Sequence, residues 1–413
     1  MILAHGLGGR SDLPVPLWLA LNAGAAAVLV SFLALTALWT RPRLRGAEGG
    51  RAVRLPVPRV ALKVVGVLLL AGFLAVAWGG PSDVEHNPAP AWFYAWFWVG
   101  LVPVSLLFGP VWRLANPLRT LAAGLGRLVP RRELPAVGHW PAVVSLFAFL
   151  WLELASGFSD SVRVVAVFVT VYAVVHVVAG AVFGPGWFDR GDGFELYSVL
   201  VAALSPLGRR ADGALVLRNP LDGLMTLQAR SGLTPFVLLV LGSTVFDGLT
   251  RLPVWTSAQG TSVQELFGTS AAVGTVGLVV AVAATALAYA GAIRLTRPYL
   301  RRSVAAYDAF AHTLVPIMVG YTVAHYFSFA VFEGQRGWTA LSGASVDYTL
   351  LSAGLIAAVQ VGGIVLGHVL AVTSAHDRSL RDLRPGYERV GQYPMLALMV
   401  GCTAVGIALV SGV

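Results

Sequence analysis

Residues Leu17 to Trp39 read LWLALNAGAAAVLVSFLALTALW, 23 consecutive residues without one ionisable side chain. At 1.5 Å rise per residue a helix of that length extends about 35 Å, enough to cross a hydrocarbon core of about 30 Å. Val60 to Trp78 (VALKVVGVLLLAGFLAVAW) has the same character, interrupted only by Lys63 near its start. Working outward on the same criterion, spans are predicted at Pro14 to Trp39, Val60 to Trp78, Ala91 to Phe108, Pro141 to Ser156, Val162 to Phe183, Leu233 to Leu249, Thr269 to Ile293, Val304 to Phe332, Tyr348 to Val372 and Met395 to Val413. The whole chain of 413 residues is 57% hydrophobic and 12% charged, with a mean hydropathy of +0.75, a balance no water-facing globular surface carries. The expected fold is all-α, a polytopic integral membrane helix bundle of about ten transmembrane helices with the lipid bilayer as its solvent.

The formal charge of +9 does not point to nucleic acid, because the basic residues form no surface patch; they sit in short segments between spans. The flanks at 40–63, 110–140, 185–232, 294–302 and 376–391 hold 25 of the 29 basic residues, leaving Arg10, Arg163, Arg251 and Arg336 on the other side. That asymmetry alternates with every span and predicts both termini outside, with the arginine-rich loops in the cytoplasm. The opening MILAHGLGGR has no basic region ahead of an apolar run, so the first span is expected to be retained. Its Gly6-Leu7-Gly8-Gly9 precedes a membrane span and follows no strand, which excludes a nucleotide loop. Cys402 is the single cysteine, so neither an intramolecular disulfide nor a thiolate-rich metal site can form.

No polar segment is large enough for a soluble domain, and residues 1–413 read as one membrane domain. Phe194 to Leu207 is apolar but too short to cross, predicting an interfacial or re-entrant helix. A weak internal repeat relates residues 91–156 to 162–249. Phe108-Gly109-Pro110-Val111-Trp112 and Phe183-Gly184-Pro185-Gly186-Trp187 each end a span and lead through a basic connector to a span beginning with proline, Pro141 or Pro235. Twelve residues beyond those prolines lie Glu153 and Asp247, which the repeat would place at equivalent depths. Asn116-Pro117-Leu118 and Asn219-Pro220-Leu221 lie on one side of the membrane, unlike the paired turns of aquaporins. Asn as N-cap with Pro at the first helical position explains them.

Ionisable side chains at the centre of a membrane helix cost about 2.5 to 3.5 kcal/mol on insertion scales, so each is a functional candidate. They form two groupings by depth. The outer one is Glu153, Asp247 and His325, with His5 and His86 in reach from exposed segments; the inner one is His176, His312, His368 and His376. Each lone histidine also has a structural alternative, a hydrogen bond to a neighbouring helix, and the carboxylates could reach headgroup water. His376 followed by Asp377 and Arg378 reads most simply as a solvated helix end. Imidazoles and carboxylates without thiolates suit a divalent transition metal, zinc, iron or copper. In that reading His312, His325 and His368 are ligands, joined by His176 or His376, and Glu153 or Asp247 is a ligand or general base. Haem fits less well. His312 and His325 are 13 residues apart, roughly 140° around a helix, and His368 and His376, eight apart, differ by about 80°. Neither makes a two-haem ladder, although one haem bridging His312 and His368 stays open.

Three stretches together resemble a family of multispanning actinobacterial membrane proteins labelled fenitrothion hydrolase: HGLGGR at His5 to Arg10 with DLPVP at Asp12 to Pro16, HTLVPIMVGYTVAHY at His312 to Tyr326, and Gly367-His368 through His376-Asp377-Arg378. The resemblance runs the length of the chain and implies cleavage of organophosphates at a bacterial plasma membrane. Three functions follow as expectations. The first is a membrane-embedded, metal-dependent enzyme hydrolysing lipophilic, phosphotriester-like small molecules. The second is a transporter with Glu153 and Asp247 as ion or proton sites and the segment near Phe194 as a gate. The third is a haem-binding membrane subunit. Oligomeric or heteromeric assembly is left open.

Overall fold

The computed structural model describes residues 16–54, 56–253, 255 and 269–411. Among these, nine helices are long and apolar enough to cross a membrane. In chain order the principal helices are α1 (Leu17–Leu38), α2 (Arg59–Gly79), α3 (Ala89–Phe108), α4 (Pro117–Leu125), α5 (Trp140–Leu154), α6 (Val162–Phe183), α7 (Gly193–Ala202), α8 (Leu233–Thr250), α9 (Ser270–Thr296), α10 (Val315–Ser342), α11 (Ala353–Asp382) and α12 (Tyr393–Ser411). Nine of the ten predicted spans correspond to long helices. The other, α5, has fifteen residues, about 22 Å of rise, and is the shortest element that alternation requires to cross. The outward faces are apolar: Leu33, Leu68, Val174 and Leu287 are each more than half exposed, a surface suited to hydrocarbon rather than water. The chain is thus a polytopic membrane helix bundle.

Lipid tails are as apolar as leucine, so close packing and interhelical hydrogen bonds hold such a bundle together. The α10–α11 crossing illustrates the packing. A Cβ on Gly320 would lie 2.4 Å from the Gly363 carbonyl oxygen, and one on Gly367 would lie 2.7 Å from that of Pro316. Gly363 and Gly367 therefore meet α10 of the same chain, while Gly362 faces open space. Trp78 Nε1 donates to Thr170 Oγ1 at 3.1 Å and Trp151 Nε1 to Thr275 Oγ1 at 2.8 Å. Each bond contributes about 0.6 kcal/mol on the average for interhelical pairs. In α3, Trp92–Val99 is π-helical, and its Trp92 and Trp96 indoles donate to the Gly337 and Gly334 carbonyls of α10, both at 2.8 Å.

The arginine-rich loops gather at one end of the bundle. There β1 (Arg51–Ala52), β2 (Leu207–Arg209) and β3 (Leu215–Leu217) form a small antiparallel sheet in the order β1-β3-β2. Gly109 and Gly184, the glycines of the two Phe-Gly-Pro stretches, adopt nearly the same backbone, φ 77° with ψ −159° and φ 79° with ψ −174°. Side chains rarely tolerate that region, so glycine is needed at both turns. The connectors that follow differ. The first leads through α4 to α5, the second through α7 and the sheet to α8. Asn116 and Asn219 cap short helices at this end, accepting from Leu118 and Leu221 N–H with proline in the first turn.

The segment expected to be an interfacial or re-entrant helix from Phe194 to Leu207 is different in kind. Its helical part, α7, is almost wholly buried, packed on α3 and α5, and Leu207 already belongs to β2. Asp192 caps α7, accepting from Phe194 and Glu195 N–H and from Tyr172 Oη at 2.7 Å. Arg119 binds both oxygens of Glu195 and also reaches Asp189, which Arg113 shares. Asn116 Nδ2 bridges Asp192 and Glu195 at 2.8 and 3.0 Å. The polar ring around its first turn explains why α7 enters the bundle instead of lying on its surface: every charge it carries inward meets a partner.

Candidate functional site

The predicted outer grouping converges at the end of the bundle away from the arginine-rich loops. Glu153 lies near the end of α5 and Asp247 near the end of α8, and these two helices pack side by side. Each carboxyl is twelve residues beyond the proline that opens its helix, and the two are close enough to interact electrostatically. From α10, His325 places Nε2 2.5 Å from Asp247 Oδ2. Arg251, one turn after Asp247, places Nη2 2.9 Å from the same Nε2 and 3.8 Å from Asp247 Oδ1. Tyr326 lies within hydrogen-bonding reach of Asp247, and Tyr321 stacks on the His325 ring at 5.9 Å. Tyr197 of α7, whose hydroxyl donates to Thr322 Oγ1 at 3.2 Å, faces the field of Glu153.

Two features set this site apart. His325 Nε2 contacts both an acceptor and an obligate donor, and one nitrogen cannot hydrogen-bond to both in one protonation state. With its proton in place it donates to the Asp247 carboxylate; without it, it accepts from Arg251. Glu153, only 5% exposed, has a carboxyl oxygen with no hydrogen-bond partner among the described residues, and Arg251 is engaged elsewhere. A buried polar atom left unpaired is costly to stability.

The predicted inner grouping does not form one site. His176 accepts from Trp187 Nε1 at 3.0 Å and stacks on Tyr172, within the α2, α4 and α6 side of the bundle. His376 is not at a solvated helix end. It is 2% exposed and bonded to the Trp39 carbonyl at 2.9 Å and Gln392 Oε1 at 3.0 Å. Asp377, fully buried beside it, accepts from Trp39 Nε1, Arg43 N–H and Leu44 N–H, clipping the end of α1 and the loop after it to α11. The reason is that topology sets a residue's depth but not the direction it faces, and these histidines face different neighbours. His312 and His368 are buried, each with Nε2 unpartnered; His368 Nδ1 bonds the Ile364 carbonyl at 2.8 Å. Among the described residues no three His, Cys, Asp or Glu side chains gather at a spacing that could hold a metal ion. His86 sits apart on an exposed loop, where the hydrogen bond it donates to the Asp83 carboxylate draws its proton affinity upward. His5 and the first of the three resemblance stretches lie outside the described residues, except Pro16.

Sequence reading missed Arg251, assigned to a loop, although its i+4 spacing from Asp247 was the available signal. It also missed the tyrosines, which carry no formal charge and so do not stand out in an apolar span. No family model matches the chain, and no curated protein or solved structure matches it either.

Proposed function

We propose that this chain is a proton-coupled membrane transporter whose proton-exchanging groups are Glu153 and the Asp247–His325–Arg251 cluster. The observation that carries the reading is the doubly contacted His325 Nε2, 2.5 Å from a carboxylate and 2.9 Å from a guanidinium. Gain or loss of one proton exchanges the partner of His325. Because Asp247 and Arg251 are on α8 and His325 is on α10, that exchange acts on the contact between two helices. Glu153, with no cation of its own, is the group beside it that can hand a proton on. The arginine-rich end faces the cytoplasm of a bacterial cell in this reading, with both termini outside.

Proton-binding currents after a pH jump on solid-supported membranes test this without knowledge of the substrate. Wild-type protein gives a transient current, and Glu153→Gln and His325→Gln each reduce it at least tenfold at equal protein density. Unchanged currents in both variants would overturn the reading.

A second reading is favoured by the same Asp247–His325 contact, since a carboxylate-oriented imidazole can serve as a general base. It is hydrolysis of a lipophilic phosphotriester, which the resemblance to the fenitrothion hydrolase family implies. His325 would activate water directly, as the described residues do not fit a zinc, iron or copper centre. Release of nitrophenolate from a p-nitrophenyl phosphotriester, lost in His325→Gln, would favour it over transport.

A further inference from the structure

Tyr321, one turn before His325 on α10, stacks on the imidazole with ring centroids 5.9 Å apart and an interplanar angle of 18°. Its ring is packed among apolar groups of three other helices, Ala20 of α1, Ile364 of α11 and Ile407 of α12. Gly406 of α12 leaves room for it, since a Cβ there would lie 3.1 Å from Tyr321 Cε2. The hydroxyl reaches α8, where a Cβ on Gly248 would lie 3.3 Å from Tyr321 Oη. Gly248 follows Asp247 and precedes Arg251 by three residues, a separation of about 4.5 Å along a helix and about 60° around it. Arg251 keeps helical backbone, φ −86° and ψ −14°, so Tyr321 Oη lies against the face of α8 that carries Arg251.

Both groups have hydrogen-bonding capacity unused. Among the described residues, Tyr321 Oη and Arg251 Nε are buried without a partner, while Arg251 Nη2 lies 2.9 Å from His325 Nε2. The Nη2 contact is a hydrogen bond only while Nε2 carries no proton. Once protonated, Nε2–H donates to the Asp247 carboxylate and meets the guanidinium donor to donor, so Arg251 needs another acceptor. Its contact with Asp247, 3.8 Å between Nη2 and Oδ1, is longer than a hydrogen bond. The other groups facing the cluster are Glu153 of α5, Tyr197 of α7 and Tyr326 of α10, and the neighbours of Tyr321 from α1, α11 and α12 carry no charge.

We propose that Tyr321 is the second acceptor for Arg251: the guanidinium bonds His325 Nε2 when that nitrogen is bare and Tyr321 Oη when it is protonated. Tyr321 is then a positioning residue that stabilises the proton-loaded arrangement, an assignment that rests on the proton-coupled reading above. The test records pH-jump currents from the reconstituted full chain over a series of final pH values and compares the pH of half-maximal charge movement. Tyr321→Phe keeps the stacked ring and removes only the hydroxyl. Loss of one hydrogen bond to a charged group should move the midpoint about one pH unit lower, about tenfold weaker proton binding, with the maximal charge unchanged. Incorporation of 3-fluorotyrosine at position 321 keeps the hydroxyl but makes it a weaker acceptor and a stronger donor. It should lower the midpoint by a smaller amount, and it decides the question alone should Tyr321→Phe not fold. A midpoint that stays or rises in either form, beside an intact wild-type current, would overturn this inference and leave the transport reading standing. Absence of any wild-type current would overturn both.

Discussion

Two of the buried polar clusters, one at each end of the bundle, are built on opposite rules. Around the first turn of α7, Glu195 and Asp192 are met by Arg119, Asn116, Tyr172 and two backbone N–H groups. Around the end of α8, two contacts compete for one imidazole nitrogen, and the neighbouring Glu153 has an oxygen with nothing to accept from. The comparison teaches that charge inside a membrane protein is not by itself a functional signal. A cluster whose partners are all in place has one arrangement and serves the fold, whereas a cluster short of a partner has two and is available for chemistry.

The largest effect should come from breaking the satisfied cluster. Arg119→Ala leaves buried Glu195 with Asn116 and the more distant guanidinium of Arg113, 3.7 Å away, and a loss of about 3 kcal/mol is expected, read as a fall in denaturant midpoint or in folded yield. A variant as stable as wild type would mean that the first cluster is not structural. Glu153→Gln should do the reverse. It replaces a buried carboxyl that has an unpartnered oxygen with an amide of the same shape and should change stability by less than about 1 kcal/mol while abolishing the pH-jump current. Should it unfold the protein, the contrast between the two ends would disappear. The smallest effect belongs to His139, buried at the arginine-rich end with its Nδ1 unpartnered. Its folded proton affinity lies below the value of about 6.5 expected in an unfolded chain, so the unfolded state takes up the proton first. Its contribution to stability is therefore present above about pH 6.5 and lost as the pH falls below it. A shallower acid-side decline in His139→Gln than in wild type, measured by thermal unfolding from pH 7.5 to 5.5, is the expected outcome.

The fold was legible because hydrocarbon imposes a simple condition, about 20 apolar residues per crossing, that stretches such as Leu17 to Trp39 satisfy without help from the rest of the chain. Depth was legible for the same reason, and it placed Glu153, Asp247 and His325 at one level. Direction around each helix was not legible. His176 and His312 read as neighbours at one depth, yet α6 packs on α2 and α4 whereas α10 packs on α11 and α3. Gly362, Gly363 and Gly367 show the same limit from the other side: all three are small, but which of them touches α10 depends on how α11 is turned. The burial of α7 was hidden because a mainly apolar helix of ten residues suits an interface as well as a core, and the deciding partners, Arg119 and Asn116, lie some 76 residues earlier in the chain.

The π-helical stretch of α3 carries a consequence for how chains of this kind can change over time. Its wider turn accommodates one more residue than an α-helix would between the same two ends. Loss of a single residue there would let the stretch relax to α-helix between the same two ends, leaving the flanking halves in place and re-aiming the side chains inside it. Trp92 and Trp96 lie within the stretch, so they would no longer both reach the Gly337 and Gly334 carbonyls of α10, which carries His325. Descendants that keep the site should therefore tolerate exchange of the aromatic letters between 92 and 99 more readily than a one-residue gap among them.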